Sequence, residues 1–298
     1  MRYAMIDIGS NTVKMTIYTA DRRLLKKYSQ SVYLLSHIQN NRLTASGLDA
    51  LIAVLFRYRA IAMKEETTVI HAYATASLRG IENLQETVES IRQALGITID
   101  VISGEEEARL SLAGIELVSG IDIENRAVFD LGGGSLEAVL PNGSSLFTQS
   151  FPLGALRLFL DFVKNVLPTA EEMREIYRHA QNTVQAASLP AAPKKALAVG
   201  GTLRALCRIL AERTGTVYDE DLPFTVTRED AVGILSEVAR GDRALKLTLI
   251  EKIPERIHTL ATGLVAFLAL IDSLGISEFT VVSGGTREGY LRKITERS

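Results

Sequence analysis

Asp7-Ile8-Gly9-Ser10-Asn11 and, 123 residues further on, Asp130-Leu131-Gly132-Gly133-Gly134-Ser135 are two copies of one pattern: an aspartate, an apolar residue and a glycine turn. Each copy follows a short apolar run (Tyr3 to Ile6, Ala127 to Phe129) and precedes another (Val13 to Tyr18, Leu136 to Leu140). That reads as strand, tight turn and strand, made twice. Without a Cβ, such turns let successive backbone N–H groups converge on one anion. An aspartate at the strand end is a natural holder of a divalent cation or its water. The repeat points to phosphate chemistry, because two such hairpins make a two-jawed clamp.

Working outward, the chain alternates strands and helices around each copy. Apolar residues at helical spacing predict a helix over 46–63, strands at 31–35 and 69–72, a helix at 84–95 closed by Gly96, a strand at 98–102 and a helix at 105–118. After the second hairpin come helices at 155–166 and 170–187. A strand at 196–199 then runs into Gly200-Gly201-Thr202 and a helix to 213, and residues 216–223 read as a loop. Helices at 228–240 and 261–274, a strand at 279–282 ending at Ser283-Gly284-Gly285, and a terminal helix complete the chain. Glycines at strand ends in an α/β chain place ligands at the carboxyl ends of the strands. The expected domains are 1–122 and 123–298.

Composition bounds the function. Over 298 residues, 47% are apolar and 23% charged, which fits a well-packed globular protein. A net charge of −2 argues against general nucleic-acid binding. No apolar run approaches the ~18 residues that cross a bilayer. The chain opens directly on a strand without a signal-peptide pattern, and Cys207 is its single cysteine, so a cytoplasmic protein is expected. There is no Gly-x-x-x-x-Gly-Lys loop, no Gly-x-Ser-x-Gly elbow and no metal-ligand spacing among the four histidines.

Other segments carry chemistry less specifically. Ser103-Gly104-Glu105-Glu106-Glu107 opens a helix, and Ser103 with Glu106 has capping-box spacing. That accounts for Glu105 and Glu106 but not for Glu107, which shares a small, polar helix stripe with Ser111 and Gly114. A carboxylate there can orient or deprotonate a water. Thr75 and Arg79 are suitable phosphate ligands behind a strand, although an arginine on a helix is more often solvated. The Gly200-Gly201-Thr202 and Ser283-Gly284-Gly285 turns could meet an anion at a helix start or could serve close packing. Basic pairs at Arg22-Arg23, Lys26-Lys27 and Lys194-Lys195 read as solvated surface.

Taken in order, these segments resemble the Ppx/GppA phosphatase family of exopolyphosphatases and guanosine pentaphosphate phosphohydrolases. The resemblance runs through Asp7 to Thr12, Ala74-Thr75-Ala76-Ser77-Leu78-Arg79 with Asn83, and Ile102 to Leu110. It continues through Asp130 to Glu137, Pro152 to Leu158, Gly200-Gly201-Thr202 and Arg287-Glu288-Gly289. It implies two actin-like (ribonuclease H-like) α/β domains of the Hsp70, sugar kinase and actin superfold with a cleft between them. It places the catalytic glutamate on Glu107 and acidic metal positions on Asp130 and Glu137, with Asp7 as a water-mediated partner. Phosphate contacts fall on Gly9, Ser10 and Asn11, on Thr75 and Arg79, on Gly132, Gly133, Gly134 and Ser135, and on Gly201 and Thr202.

The function implied is Mg²⁺- or Mn²⁺-assisted hydrolysis of the terminal phosphoanhydride of inorganic polyphosphate. Hydrolysis of pppGpp, a non-catalytic sensor of guanosine penta- or tetraphosphate, and a kinase seating adenosine on Gly200-Gly201 or Gly284-Gly285 are the alternatives. A homodimer is compatible with the resemblance, while Leu260 to Leu274 reads as core. The chain departs from the usual pattern in three places: Thr286 stands where a leucine is common, Leu136 where a threonine is common, and Gly80 where an acid is common. It also resembles the short form that lacks a helical C-terminal domain.

Overall fold

A computed structural model describes residues 1–121 and 123–296 of the chain. The first unit starts with an antiparallel meander, β1 (Arg2–Ile8), β2 (Thr12–Thr19) and β3 (Leu24–Ser31). A 3₁₀ turn at Leu34–His37 and a two-stranded ribbon, β4 (Ile38–Gln39) and β5 (Arg42–Leu43), lead into α1 (Ala45–Lys64). There follow β6 (Val69–Ala74), α2 (Leu84–Leu95), β7 (Ile99–Val101) and α3 (Gly104–Ser119). The sheet order is β3-β2-β1-β6-β7, with β6 and β7 parallel to β1. β1 is central, so both its faces are apolar and buried at Ala4, Met5, Ile6 and Ile8. Local chemistry fixes the helix ends. Thr44 Oγ1 accepts from the Gly47 amide at the start of α1, and Gly96, at φ 67°, closes α2. Tyr58 of α1 donates its buried hydroxyl to the Val13 carbonyl at 3.0 Å.

The second unit repeats that plan with β8 (Ala127–Leu131), β9 (Leu136–Asn142) and β10 (Ser145–Phe151) as the meander. After it come α4 (Ala155–Phe162), α5 (Ala170–Ala186), β11 (Ala196–Val199) and α6 (Gly201–Thr214). The chain continues as β12 (Phe224–Thr227), α7 (Arg228–Arg240), α8 (Arg243–Lys252), α9 (Leu260–Ser273), β13 (Glu278–Val281) and α10 (Thr286–Thr295). The order is β10-β9-β8-β11-β13-β12. Its first five strands match the first sheet one for one, and β12 adds an antiparallel edge. This doubled meander-plus-parallel order is the ribonuclease H-like plan of the actin-like fold. Helix α9 is buried from Leu260 to Ile271 and is the spine of this unit's core, as its unbroken apolar run requires.

Several elements differ from the sequence reading. The strand expected at 31–35 lies earlier, as β3, and Tyr33 there is left-handed at φ 54° before the 3₁₀ turn. The strands β10 and β12 and the helix α8 were not expected. The division of the chain also differs from 122/123, where residue 122 lies outside the described residues. One compact unit is Met1–Glu107 with the chain from Leu291 on, the other Ala108–Tyr290. The reason is that α3 is continuous. Glu107 pairs with Arg79, whereas Ala108 and Ile115 pack in a cluster with Val128, Val139, Leu197 and Val199. At the other end, Lys293 pairs with Glu106, and Arg22 reaches Glu296 at 3.6 Å.

Candidate functional site

The two glycine turns are built alike. In the second unit Gly132 N donates to Ser135 O at 2.9 Å, and in the first Gly9 N donates to Thr12 O at 3.2 Å. The carbonyls inside each turn are then taken by the segment that follows the third strand. Gly132 O accepts from Ala155 N (3.0 Å), Gly133 O from Leu156 N and Arg157 N (2.9 and 3.0 Å), and Gly134 O from Arg157 Nε (3.1 Å). Because a trans peptide points its N–H opposite to its C=O, the amides of Gly133, Gly134 and Ser135 face the other way. Three successive donors so aligned have the form of a nest, a geometry suited to an anion. In the first unit, Ser10 O accepts from Leu35 N (3.5 Å) and Asn11 O from Val32 N and Tyr33 N (3.0 Å each). The Asn11 and Thr12 amides are thereby turned outward in the same sense.

The packing around these turns explains their glycines. A Cβ on Gly154 would lie 2.2 Å from Gly134 C and 2.3 Å from Ser135 N, so α4 starts in direct backbone contact with the triple-glycine turn. Ser10 Oγ and Asn11 Oδ1 are buried and carry no hydrogen bond within the chain. A buried hydroxyl of this kind calls for a partner, and a phosphate oxygen would supply one. Asn11 Oδ1 only accepts, so its phosphate contact would come through its backbone N–H.

Thr75 lies at the carboxyl end of β6, 7% exposed, and its amide donates to Ile8 O at 3.4 Å. Arg79 was expected on phosphate. Its guanidinium is anchored by Nε on Ile102 O (3.1 Å) and paired through Nη2 with the Glu107 carboxylate. Glu107, 8% exposed, is accordingly the oriented acid of α3. Its neighbours serve other ends, because Ser103 Oγ accepts from Glu106 N at 3.1 Å while the Glu106 side chain goes to Lys293.

The three acidic positions expected to hold metal separate by charge. Asp130 is directly opposite Glu137 across β8 and β9, so two carboxylates share one face of the hairpin. Glu137 is 1% exposed and accepts from Ser150 Oγ at 2.7 Å. Asp7 occupies the equivalent place in the first hairpin, but the residue opposite it is Lys14. No group of three His, Cys, Asp or Glu among the described residues could hold a metal ion. A pair of carboxylates nonetheless fits Mg²⁺, which takes one or two of them and completes its shell with water and phosphate oxygens.

Gly201 and Thr202 open α6. The Thr202 side chain, 1% exposed, packs on Gly263 of α9, and a Cβ on Gly201 would lie 2.3 Å from Arg256 Nη2. What these two residues can present to an anion is the free amides of a helix start. Gly284 and Gly285 serve close packing: a Cβ on Gly284 would lie 2.5 Å from Gly114 O, and one on Gly114 would lie 1.9 Å from Gly285 O. Cys207 is a buried structural thiol, and burial pushes it up to about 12. The sequence reading gave no role to the Thr12 amide or to the supporting Gly154 and Arg157, although all three lie in segments that carry the resemblance. The 123-residue offset, which pairs Thr12 with Ser135, could have found the first. Among the described residues, no helix is long and apolar enough to cross a membrane.

Comparison with known proteins follows the same lines. Residues 24–298 match the family model described as the Ppx/GppA phosphatase family. Exopolyphosphatase 1 of Mycobacterium bovis and that of Mycobacterium tuberculosis are each 24% identical to the chain, over 99% of it and 88% of theirs. Among solved structures, an exopolyphosphatase from Cytophaga hutchinsonii superposes with a TM-score of 0.87 at 20% identity, covering 100% of this chain and 98% of its own. The Ppx/GppA family member of Aquifex aeolicus gives 0.78 at 23% identity, covering 100% and 99%. With its doubled hairpins, its turned-out glycine amides and a family match across more than nine-tenths of its length, the chain belongs to the Ppx/GppA phosphatase family.

Proposed function

We propose that this phosphatase-family chain removes the terminal phosphate from inorganic polyphosphate by attack of water, releasing orthophosphate and a chain one unit shorter. The observation that carries the reading is that α4 takes the carbonyls of Gly132, Gly133 and Gly134, which turns the amides of Gly133, Gly134 and Ser135 the other way. Such preorganised donors suit the equatorial oxygens of a transferring phosphoryl group, where catalysis is mostly positioning and charge neutralisation. The relatives named exopolyphosphatases favour the inorganic chain as substrate.

The roles follow from the residues. Outward amides of the two turns, with Thr75 and the α6 start, bind phosphate oxygens. Asp130 and Glu137 would hold Mg²⁺ or Mn²⁺, which when bound neutralises charge on the phosphate oxygens. Glu107, fixed by Arg79, aligns the attacking water and takes its proton as the new P–O bond forms and the bridging P–O bond breaks. The bridging oxygen leaves with the shortened chain.

The test is Mg²⁺-dependent phosphate release from short polyphosphate, long polyphosphate and pppGpp, each with the wild type and Glu107→Gln. Release from polyphosphate that falls about 10²- to 10⁴-fold in the variant, with KM nearly unchanged, is the expected result. Release from pppGpp alone would move the chain to the nucleotide reading. Binding without release from any of the three would make it a sensor.

A further inference from the structure

Two hydroxyls converge on one oxygen of Asp130. Ser111 Oγ, from α3, donates to Asp130 Oδ2 at 2.6 Å, and Thr286 Oγ1, from the start of α10, reaches the same oxygen at 3.4 Å. Both side chains are buried, at 1% and 9% exposure. Their elements are locked together by backbone contact. A Cβ on Gly114 would lie 1.9 Å from Gly285 O, one on Gly284 2.5 Å from Gly114 O, and one on Gly289 1.9 Å from Leu110 O. Three glycines thus bring α3 and the turn into α10 to a separation that no side chain permits, and the two hydroxyls sit at that crossing.

We infer that Ser111 and Thr286 are positioning residues that hold Asp130 through Oδ2 and leave Oδ1 for a divalent cation; this rests on the metal role proposed above for Asp130. The choice of donor matters. A lysine or arginine in their place would cancel the carboxylate charge and compete with the cation, whereas a hydroxyl fixes the rotamer and leaves the charge intact. Among the described residues these two hydroxyls are the side-chain partners of Asp130, and it forms no ion pair. Across the hairpin, Ser150 Oγ holds Glu137 Oε1 in the same way. Thr286 is also one of the places where the chain departs from the resembled pattern, and that departure supplies a hydroxyl.

The experiment is a Mn²⁺ titration followed by the electron paramagnetic resonance signal of the free ion, in saturating inorganic phosphate. Wild type, Ser111→Ala, Thr286→Val, Ser111→Thr and Asp130→Asn are compared, with melting temperatures taken in parallel. Affinity should fall about 10-fold in Ser111→Ala and less in Thr286→Val, whose bond is longer, and Ser111→Thr should recover much of it. Wild-type affinity in Ser111→Ala and Thr286→Val, with loss confined to Asp130→Asn, overturns the positioning role and leaves the metal role standing. Equal affinity in Asp130→Asn and wild type removes the metal role and the inference with it. Thr286→Val keeps the question answerable if Ser111→Ala fails to fold.

Discussion

Gly154 has no space for a methyl group. Its Cβ would fall 2.2 to 2.4 Å from backbone atoms of Gly133, Gly134 and Ser135, and none of these is the yielding end of a side chain. Gly154→Ala should therefore shift the amide nest, at a cost of about 1–3 kcal/mol in stability. On the reading above, kcat/KM for polyphosphate should also drop at least about 10-fold; urea unfolding and phosphate-release kinetics check the two effects, and unchanged kinetics would detach the nest from the substrate. Arg79 tests the neighbouring assignment. Its guanidinium holds Ile102 O and Glu107 together, which the single ammonium of a lysine cannot do in that geometry. If Arg79 works by orienting Glu107, Arg79→Lys lowers kcat about 10-fold with little change in KM. If it works on phosphate alone, KM rises and kcat holds. The sequence could single out Glu107, because a cap explains its two neighbours, but it could not show an arginine closing on it from 28 positions away.

At the scale of elements, Thr169 and Glu172 form the reciprocal capping box that opens α5, with Thr169 Oγ1 accepting from Glu172 N at 3.2 Å. Thr169→Ala should cost about 1 kcal/mol in urea unfolding while leaving phosphate release unchanged. A second fastening joins α5, α7 and α9: Asp272 accepts from Arg228 Nε (2.6 Å) and from the Tyr177 hydroxyl (2.6 Å). Burial acts to raise the Asp272 carboxyl, but the bonds from Arg228 and Tyr177 outweigh it, and its titration is lowered. Its contribution to stability is therefore present above the ordinary carboxylate range and is lost as pH falls through the lower folded value. The melting temperature of wild type should exceed that of Asp272→Asn at pH 7, with the gap closing below about pH 4. A gap that is the same at both pH values would show that the ion pair is not its source.

These elements also show where the sequence was readable. Helices α1, α2 and α5 were legible because their buried residues recur every third or fourth position, and α9 because its apolar run is unbroken. β3 and β10 were not, because both are sheet edges whose sequences, Leu24–Ser31 and Ser145–Phe151, lie exposed or half-exposed nearly throughout and lack alternation. In α8, Leu245, Leu247 and Leu249 alternate as they would in a strand, yet only Leu245 and Leu249, one turn apart, are buried. The run Val32 to Leu35 looks like a strand for a different reason. Its apolar side chains are buried, but its amides go to the carbonyls of Ser10 and Asn11 rather than to a ladder, so it shapes the first glycine turn instead of extending the sheet.

Across the whole molecule, the two units share one strand order and one turn design, and they differ at the residue that faces the aspartate. Asp130 is opposed by Glu137, whereas Asp7 is opposed by Lys14. The duplication explains why the sequence yields both hairpins at once, while the difference is visible only once the strand register is known, because the members of each pair lie seven positions apart. On the reading proposed above, the difference divides labour between the hairpins. Two carboxylates side by side repel each other and gain by sharing a divalent cation, whereas a carboxylate beside an ammonium is already compensated and gains less from one, and the ammonium adds positive charge beside the first glycine turn. On that basis, Glu137→Gln should raise the Mg²⁺ concentration for half-maximal activity at least about 10-fold and leave KM for polyphosphate at saturating Mg²⁺ nearly unchanged. Lys14→Met should do the reverse, raising KM with the Mg²⁺ dependence intact. Both are read from phosphate release over a grid of Mg²⁺ and polyphosphate concentrations. Parallel shifts in the two variants would mean that the hairpins do not divide cation from phosphate, and that their shared design reflects the doubled fold alone.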